Sequence, residues 1–472
     1  MTFSSLEFLF FFFPVVLGVY YLIPRTAGNY WLLAASLFFY AWGEPRFFLL
    51  LLAAIIVNYG LGLLLEKQSG PRKAVFLFGL LLNFSLLFAS KYLNAVTAGL
   101  RARFPLWEGI IPQTSFLMPL AVSFYTFQSV SYLIDIYRGM PAEKNPCSYA
   151  LFISFFPQLI QGPILRYADF RPQLRERKTT AEGFAEGVLR FLTGLNKKVL
   201  LADVLSGITD AAFSGSRLSV GMAWLGMIAY SLQLYLDFSG YSDMALGLGK
   251  MFGFSFRENF DYPYASAGIS DFWRRWHISL GTWFRDYLYF SLGGSRTGSG
   301  TRTALNLMIV WLATGIWHGA NRTFLLWGLL HGLLIVFEKL TGFPRRLVDK
   351  PLARAVYRCG VLLAVFYGWM IFRSADITHA YLYTKWLLKR GGAVLTDSMF
   401  RFRLREYIVT LVIAAAASFP LCPYFRKKLA ARGGRTAAGA RTVWYLLQLM
   451  LAVISVSSLV MNTHNPFLYV NF

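Results

Sequence analysis

The sequence predicts an all-α, polytopic membrane protein of about eleven transmembrane helices, and three observations predict it. Hydrophobic residues make up 56% of the 472 and charged residues only 15%, against about 25% charged in a soluble domain. Apolar stretches that could form spans of ~20 residues recur along the whole chain. The basic residues, 46 against 23 acidic, gather in short connections between those stretches, which is the positive-inside pattern. Anionic lipid headgroups account for the net charge of +23 more simply than a polynucleotide would, so membrane lipid is expected as a partner and nucleic acid is not.

The stretches lie near 6–23, 30–42 with 47–64, 74–90, 113–136, 149–165, 184–204, 221–236, 304–321, 323–340, 355–373, 405–421 and 442–461. The first has no Lys or Arg before it and no small-residue cleavage pattern after it, so it reads as a retained helix and not a signal peptide. Connections carrying Lys67, Arg72 and Lys73, then Arg171, Arg175, Arg177 and Lys178, then Arg345, Arg346 and Lys350, are expected on the cytoplasmic side. So is the basic linker 422–441, which leaves the uncharged tail 462–472 outside. No internal repeat is visible. The polar intramembrane residues crowd into about 120–340, and the chain reads as one membrane domain, 1–472, with a catalytic region at about 115–340 and further helices over 341–472. Cys147, Cys359 and Cys422 form no metal or disulfide spacing and read as small buried or loop residues.

Several polar groups stand where lipid would penalise them. Gln158 and Gln161, between Pro157 and Pro163, either line a polar passage or join two helices. Asp237 and Asp243 flank Ser239-Gly240-Tyr241-Ser242; with no His or third acid nearby they suit a helix break better than a metal. In 271–290, Trp273, Trp276, Leu280, Trp283 and Tyr287 recur at steps of three and four, which predicts one amphipathic helix, interfacial or re-entrant. Arg274 and Arg285 lie on another face of that helix, and His277 sits at the edge of the stripe, either as a proton handler or acyl relay or as ordinary packing. Gly293-Gly294-Ser295-Arg296 is a basic turn that reads as a loop.

The most informative position is His318. On a helix it shares a face with Trp311, Thr314 and Gly315: a base, a small polar group, a glycine and an aromatic wall. An ionisable side chain at membrane depth is by default a functional hypothesis, although helix bundles also use structural histidines. His331 and Glu338 fall on one face of the next stretch, where a self-satisfying structural pair is the preferred reading. Nucleophile elbows, phosphate loops, zinc motifs and dinucleotide fingerprints are absent from the sequence in their required contexts.

The runs F-W-R-R-W-H-I-S-L-G-T-W-F-R-D-Y-L-Y (272–289), L-G-G-S-R (292–296), T-G-I-W-H-G (314–319) and W-G-L-L-H-G (327–332) resemble the membrane-bound O-acyltransferase family. More narrowly they resemble its alginate O-acetylation branch, related to the membrane protein of teichoic-acid D-alanylation. Stretches 124–135, 155–167, 236–245 and 258–264 extend the resemblance, which covers roughly 1–65 and 115–340. It departs after His-Gly-Ala, where Asn321-Arg322-Thr323 replaces a Ser-Trp-Asn-like stretch and brings an arginine close to the chamber.

The resemblance implies a multi-helix fold around a funnel or tunnel in the bacterial inner membrane, His318 as the central catalytic histidine and His277 as the second. Trp276, Arg285, Asp286, Trp311, Thr314, Gln158 and Gln161 are expected in support. It also implies acetyl-CoA or another acyl thioester as donor with no bound cofactor, an exported polysaccharide as final acceptor, and a separate extracytoplasmic acetyltransferase as partner. A proton-coupled transporter, or an acyltransferase with a lipid or teichoic-acid acceptor, are the alternatives.

Overall fold

The computed structural model describes residues 1–461 except 68, 69, 108, 216, 297, 348 and 432; the expected outward tail, 462–472, and Arg432 of the basic linker lie outside the described residues. Among the described residues every regular element is helical. Among the described residues five helices are long and apolar enough to cross a membrane: Pro45–Glu66, Arg72–Arg103, Arg322–Thr341, Pro351–Arg373 and Ala437–Met461. A sixth span forms if Ser398–Ala417 and Leu421–Leu429, bent by 60°, are taken together. On that criterion the described residues give five or six spans, and the expected count of about eleven is not confirmed.

The shortfall has local causes. The 149–165 stretch is helical only over Pro146–Ser154 and one turn, Phe156–Leu159, because Pro157 and Pro163 lack the amide donors a helix needs. Phe8–Leu22 is apolar but short. The helix Val220–Met251 is long enough, yet carries Asp237, Asp243 and Lys250.

The chain divides into two compact units, Met1–Val188 with Ala245–Arg257, and Leu189–Met244 with Glu258–Phe472. In the first, Phe8, Phe12, Phe39 and Phe156 form an aromatic knot with ring centroids 5.3–6.3 Å apart. Asn58 and Asn83 exchange amide hydrogen bonds of 3.2 and 2.7 Å between Phe48–Glu66 and Arg72–Arg103, the polar glue that apolar surroundings favour. Two arginines of the basic connections hydrogen-bond to the protein's own backbone. Arg72 donates to the carbonyls of Ile136 and Tyr137 at 2.9 Å each, and Arg177 donates to the Phe252 carbonyl at 3.2 Å. Both add a donor to carbonyls at helix ends, beside the Gly139 amide on Ile136 and the Tyr20 hydroxyl on Phe252.

In the second unit the expected break at Asp237–Asp243 does not occur; Val220–Met251 is continuous. The carboxylates are matched by cations and do not disrupt the backbone. Lys198 reaches Asp237 at 2.8 Å and Asp203 at 2.6 Å, while Lys197 and Arg190 reach Asp243 at 2.7 and 2.6 Å. Lys197 and Lys198 open a π-helical stretch, Lys197–Ala202, within the run from Ala181 to Phe213.

Candidate functional site

The site is built on a helical hairpin in the second unit. Gly300–His318 and Arg322–Thr341 are joined by a three-residue turn. A Cβ on Gly328 would stand 2.6 Å from the Trp311 carbonyl, and one on Gly315 would stand 2.7 Å from that of Phe324. Only glycine at both positions lets the backbones approach this closely. His318 is the last helical residue, followed by Gly319 at φ 149°. Its ring lies 4.6 Å from Trp317 and meets Trp327 and Phe372 edge-on at 5.2 and 4.9 Å. The shared face of Trp311, Thr314, Gly315 and His318 is buried, as the helical spacing predicts.

The single amphipathic helix expected over 271–290 is instead broken. Ile269–Arg275 ends, Trp276 is extended, His277 adopts φ 44°, ψ 55°, and a new helix runs over Ile278–Trp283 before a π-helical turn at Phe284–Tyr289. Asn259 explains the restart: its backbone carbonyl accepts from the Ile278 amide at 2.9 Å and its side chain accepts from the Ser279 amide at 3.2 Å. These are two donors that a helix start leaves open. His277 is 4% exposed, with Nδ1 3.1 Å from Asn259 Oδ1. This broken segment lies outside the apolar spans. Burial pushes the His277 imidazole down to about 3, so the ring is neutral at physiological pH.

His277 and His318 line one cavity of about 450 Å³. Trp276, Arg285, Trp311 and Thr314, all expected on sequence grounds, line it too. Asp286 does not; it holds Arg285 at 2.7 Å. Gln158 and Gln161 belong to the first unit and are not among the lining residues. Their amides are buried without a hydrogen-bond partner among the described residues, so they do not join helices by hydrogen bonds. Arg322 is also absent from the lining: Asn321 accepts from the Thr323 amide at 3.1 Å and starts the next helix there. Trp369 and Phe372 close the aromatic wall from Pro351–Arg373, beyond the expected catalytic region.

The expected His331–Glu338 pair is not formed. His331 Nδ1 accepts from Trp273 Nε1 at 3.3 Å, while Glu338 accepts from the Ile269 and Ser270 amides at 2.7 and 2.8 Å. Glu338 therefore serves a helix start and not a histidine. Among the described residues, no three His, Cys, Asp or Glu side chains converge to hold a metal ion.

Residues 145–384 match the membrane-bound O-acyltransferase (MBOAT) family, half of the chain. The chain belongs to the MBOAT family. It is 40% identical to the probable alginate O-acetylase AlgI of Pseudomonas putida, with 100% of each chain covered. It is 32% identical to the peptidoglycan O-acetyltransferase of Helicobacter pylori, covering 89% of this chain and 87% of that one. A more distant relative, the teichoic acid D-alanyltransferase of Bacillus subtilis, is 29% identical over 48% of this chain and 62% of its own length. This MBOAT protein is accordingly a multi-pass acyltransferase of the bacterial cytoplasmic membrane. Its cavity holds two imidazoles among mostly apolar walls, a setting in which histidine can serve as an acid or base.

Proposed function

We propose that this protein takes an acetyl group from acetyl-CoA, or another cytosolic acyl thioester, and passes it across the membrane for O-acetylation of an exported polysaccharide. The observation that carries this reading is that His318 and His277 line the same aromatic-walled cavity. In the reaction His318 removes the proton from an acceptor hydroxyl as its oxygen attacks the thioester carbonyl carbon. A C–O bond forms, the C–S bond breaks as the tetrahedral intermediate collapses, and the departing thiolate takes its proton from the imidazolium. His277 handles a second proton or relays the acyl group. Arg274 and Arg285, at the cavity and partly exposed, suit an anionic donor. The names of the alginate and peptidoglycan relatives support a polysaccharide acceptor. A separate extracytoplasmic acetyltransferase completes the modification.

We treat 1–472 as one functional membrane domain whose catalytic region spans about 115–340 plus Trp369 and Phe372. Shorter apolar helices such as Phe8–Leu22 would complete a count near eleven if they are embedded beside the longer ones.

The test is the acetyl-ester content of exported polymer from cells lacking the protein and from cells with it restored. Loss and recovery of polymer acetylation is the expected result. Unchanged polymer with altered lipid acylation would overturn the polysaccharide acceptor in favour of lipid. Unchanged acylation with altered proton uptake would overturn the enzyme reading in favour of transport.

A further inference from the structure

We infer that Asn259 is the positioning residue that fixes the tautomer of His277 and leaves its Nε2 unprotonated, as an acceptor that assists His318. The inference rests on the acyl-transfer reading for its consequence, but its geometry stands alone.

The orientation of the Asn259 amide follows from its partners. The Ser279 backbone N–H can only donate, and it points at one side-chain atom of Asn259 from 3.2 Å, so that atom is the oxygen. The Ser279 hydroxyl lies 2.9 Å from the same oxygen and 3.4 Å from His277 Nδ1; its single hydrogen goes to the nearer oxygen, so it is not a donor to Nδ1. The other atom, Nδ2, donates to Ser242 Oγ at 3.1 Å. His277 Nδ1 lies 3.1 Å from an atom that can only accept, so in the neutral ring Nδ1 carries the hydrogen. Nε2 then holds the lone pair, and Nε2 is buried with no hydrogen-bond partner among the described residues.

The clamp is anchored from behind. Arg190 grips Glu258, the neighbour of Asn259, at 3.1 and 2.6 Å, and Asp243, the neighbour of Ser242, at 2.6 Å. One guanidinium thus ties together the two backbones that carry the Asn259–Ser242 hydrogen bond. Phe238 meets the His277 ring edge-on at 4.7 Å and limits its rotation. Asn259 is fully buried. Its signal in the sequence was slight: an asparagine within E-N-F-D-Y-P-Y, with no histidine spacing to connect it to His277.

The test measures the tautomer directly. Full-length protein with isotope-labelled histidine is reconstituted in lipid bilayers, and ring nitrogen shifts are read by solid-state NMR. His277→Asn identifies the signal by its loss, and asparagine tolerates the left-handed backbone there. The wild type should show a protonated Nδ1 and a bare Nε2. Asn259→Asp keeps an acceptor and should keep Nδ1 protonated. Asn259→Leu should give mixed or inverted protonation and lower polymer acetylation by about tenfold or more. Adding Asn259→Leu to His277→Asn should lower acetylation no further.

A wild-type ring protonated at Nε2, or an Asn259→Leu variant with the wild-type tautomer, would overturn the inference. The wild-type spectrum decides this even if Asn259→Leu does not fold. If the tautomer behaves as expected while His277→Asn acetylates polymer normally, the positioning stands and the catalytic role of His277 falls.

Discussion

Replacing His318 with alanine should lower acetylation of the exported polymer by at least about 100-fold at matched protein level in the membrane, the lower end of what a positioned general base contributes. The size of the effect follows from the surroundings. The ring is walled by Trp317, Trp327 and Phe372, and no Asp or Glu lies among the cavity residues to take over as base. Alanine also leaves a gap among those rings, so His318→Gln, closer in volume, should be equally inactive while packing better. His277→Asn should cost less than His318→Ala if His277 assists and does not act as the principal base. The check is acetyl ester released from purified polymer, normalised to tagged protein in the membrane. Retention of more than about a tenth of wild-type acetylation by both His318 variants would remove the histidine from the chemistry.

The second large effect concerns folding. Lys198 is almost wholly buried between Asp203 and Asp237, themselves largely shielded from solvent. Lys198→Met removes the shared cation and leaves two carboxylates facing each other in the interior, which costs about 3–5 kcal/mol when a buried pair is broken from one side. The variant should accumulate poorly and lose most of its monodisperse peak in detergent. Neutralising a carboxylate as well, in Lys198→Met with Asp237→Asn, should recover part of that loss, because less buried charge is left unmatched. Fluorescence-detected size exclusion after a temperature series reads both variants. Wild-type stability of the single variant would show that this network contributes little to the fold.

The parts of the molecule that were legible in the sequence are those set by local periodicity. The face of Trp311, Thr314, Gly315 and His318 needs only one helix with 3.6 residues per turn, and it formed as expected. The aromatic stripe from Trp273 to Tyr287 has the same periodicity, yet the helix broke at Trp276 and His277. The cause is Asn259, twenty residues before Ser279, whose capping bonds no periodicity can reveal. Asp237 and Asp243 misled for a related reason. As isolated charges they argue for a helix break, and only the fold brings Arg190, Lys197 and Lys198 to neutralise them. Glu338 shares a helix face with His331 but finds stronger donors in the backbone of residues 269 and 270. Trp369 and Phe372 carried no sequence mark of their own, since aromatic residues are common throughout the chain.

We propose that the cavity holding His318 links a cytosolic thioester to an acceptor outside. That link is tested most directly by sealed inside-out membrane vesicles that contain the exported polymer in their lumen. Radiolabelled acetyl-CoA is added to the exposed cytoplasmic face, and label on luminal polymer is counted over time. The account predicts steady labelling with wild-type protein and none above background with His318→Ala present at the same level. Labelling by His318→Ala at the wild-type rate would contradict it.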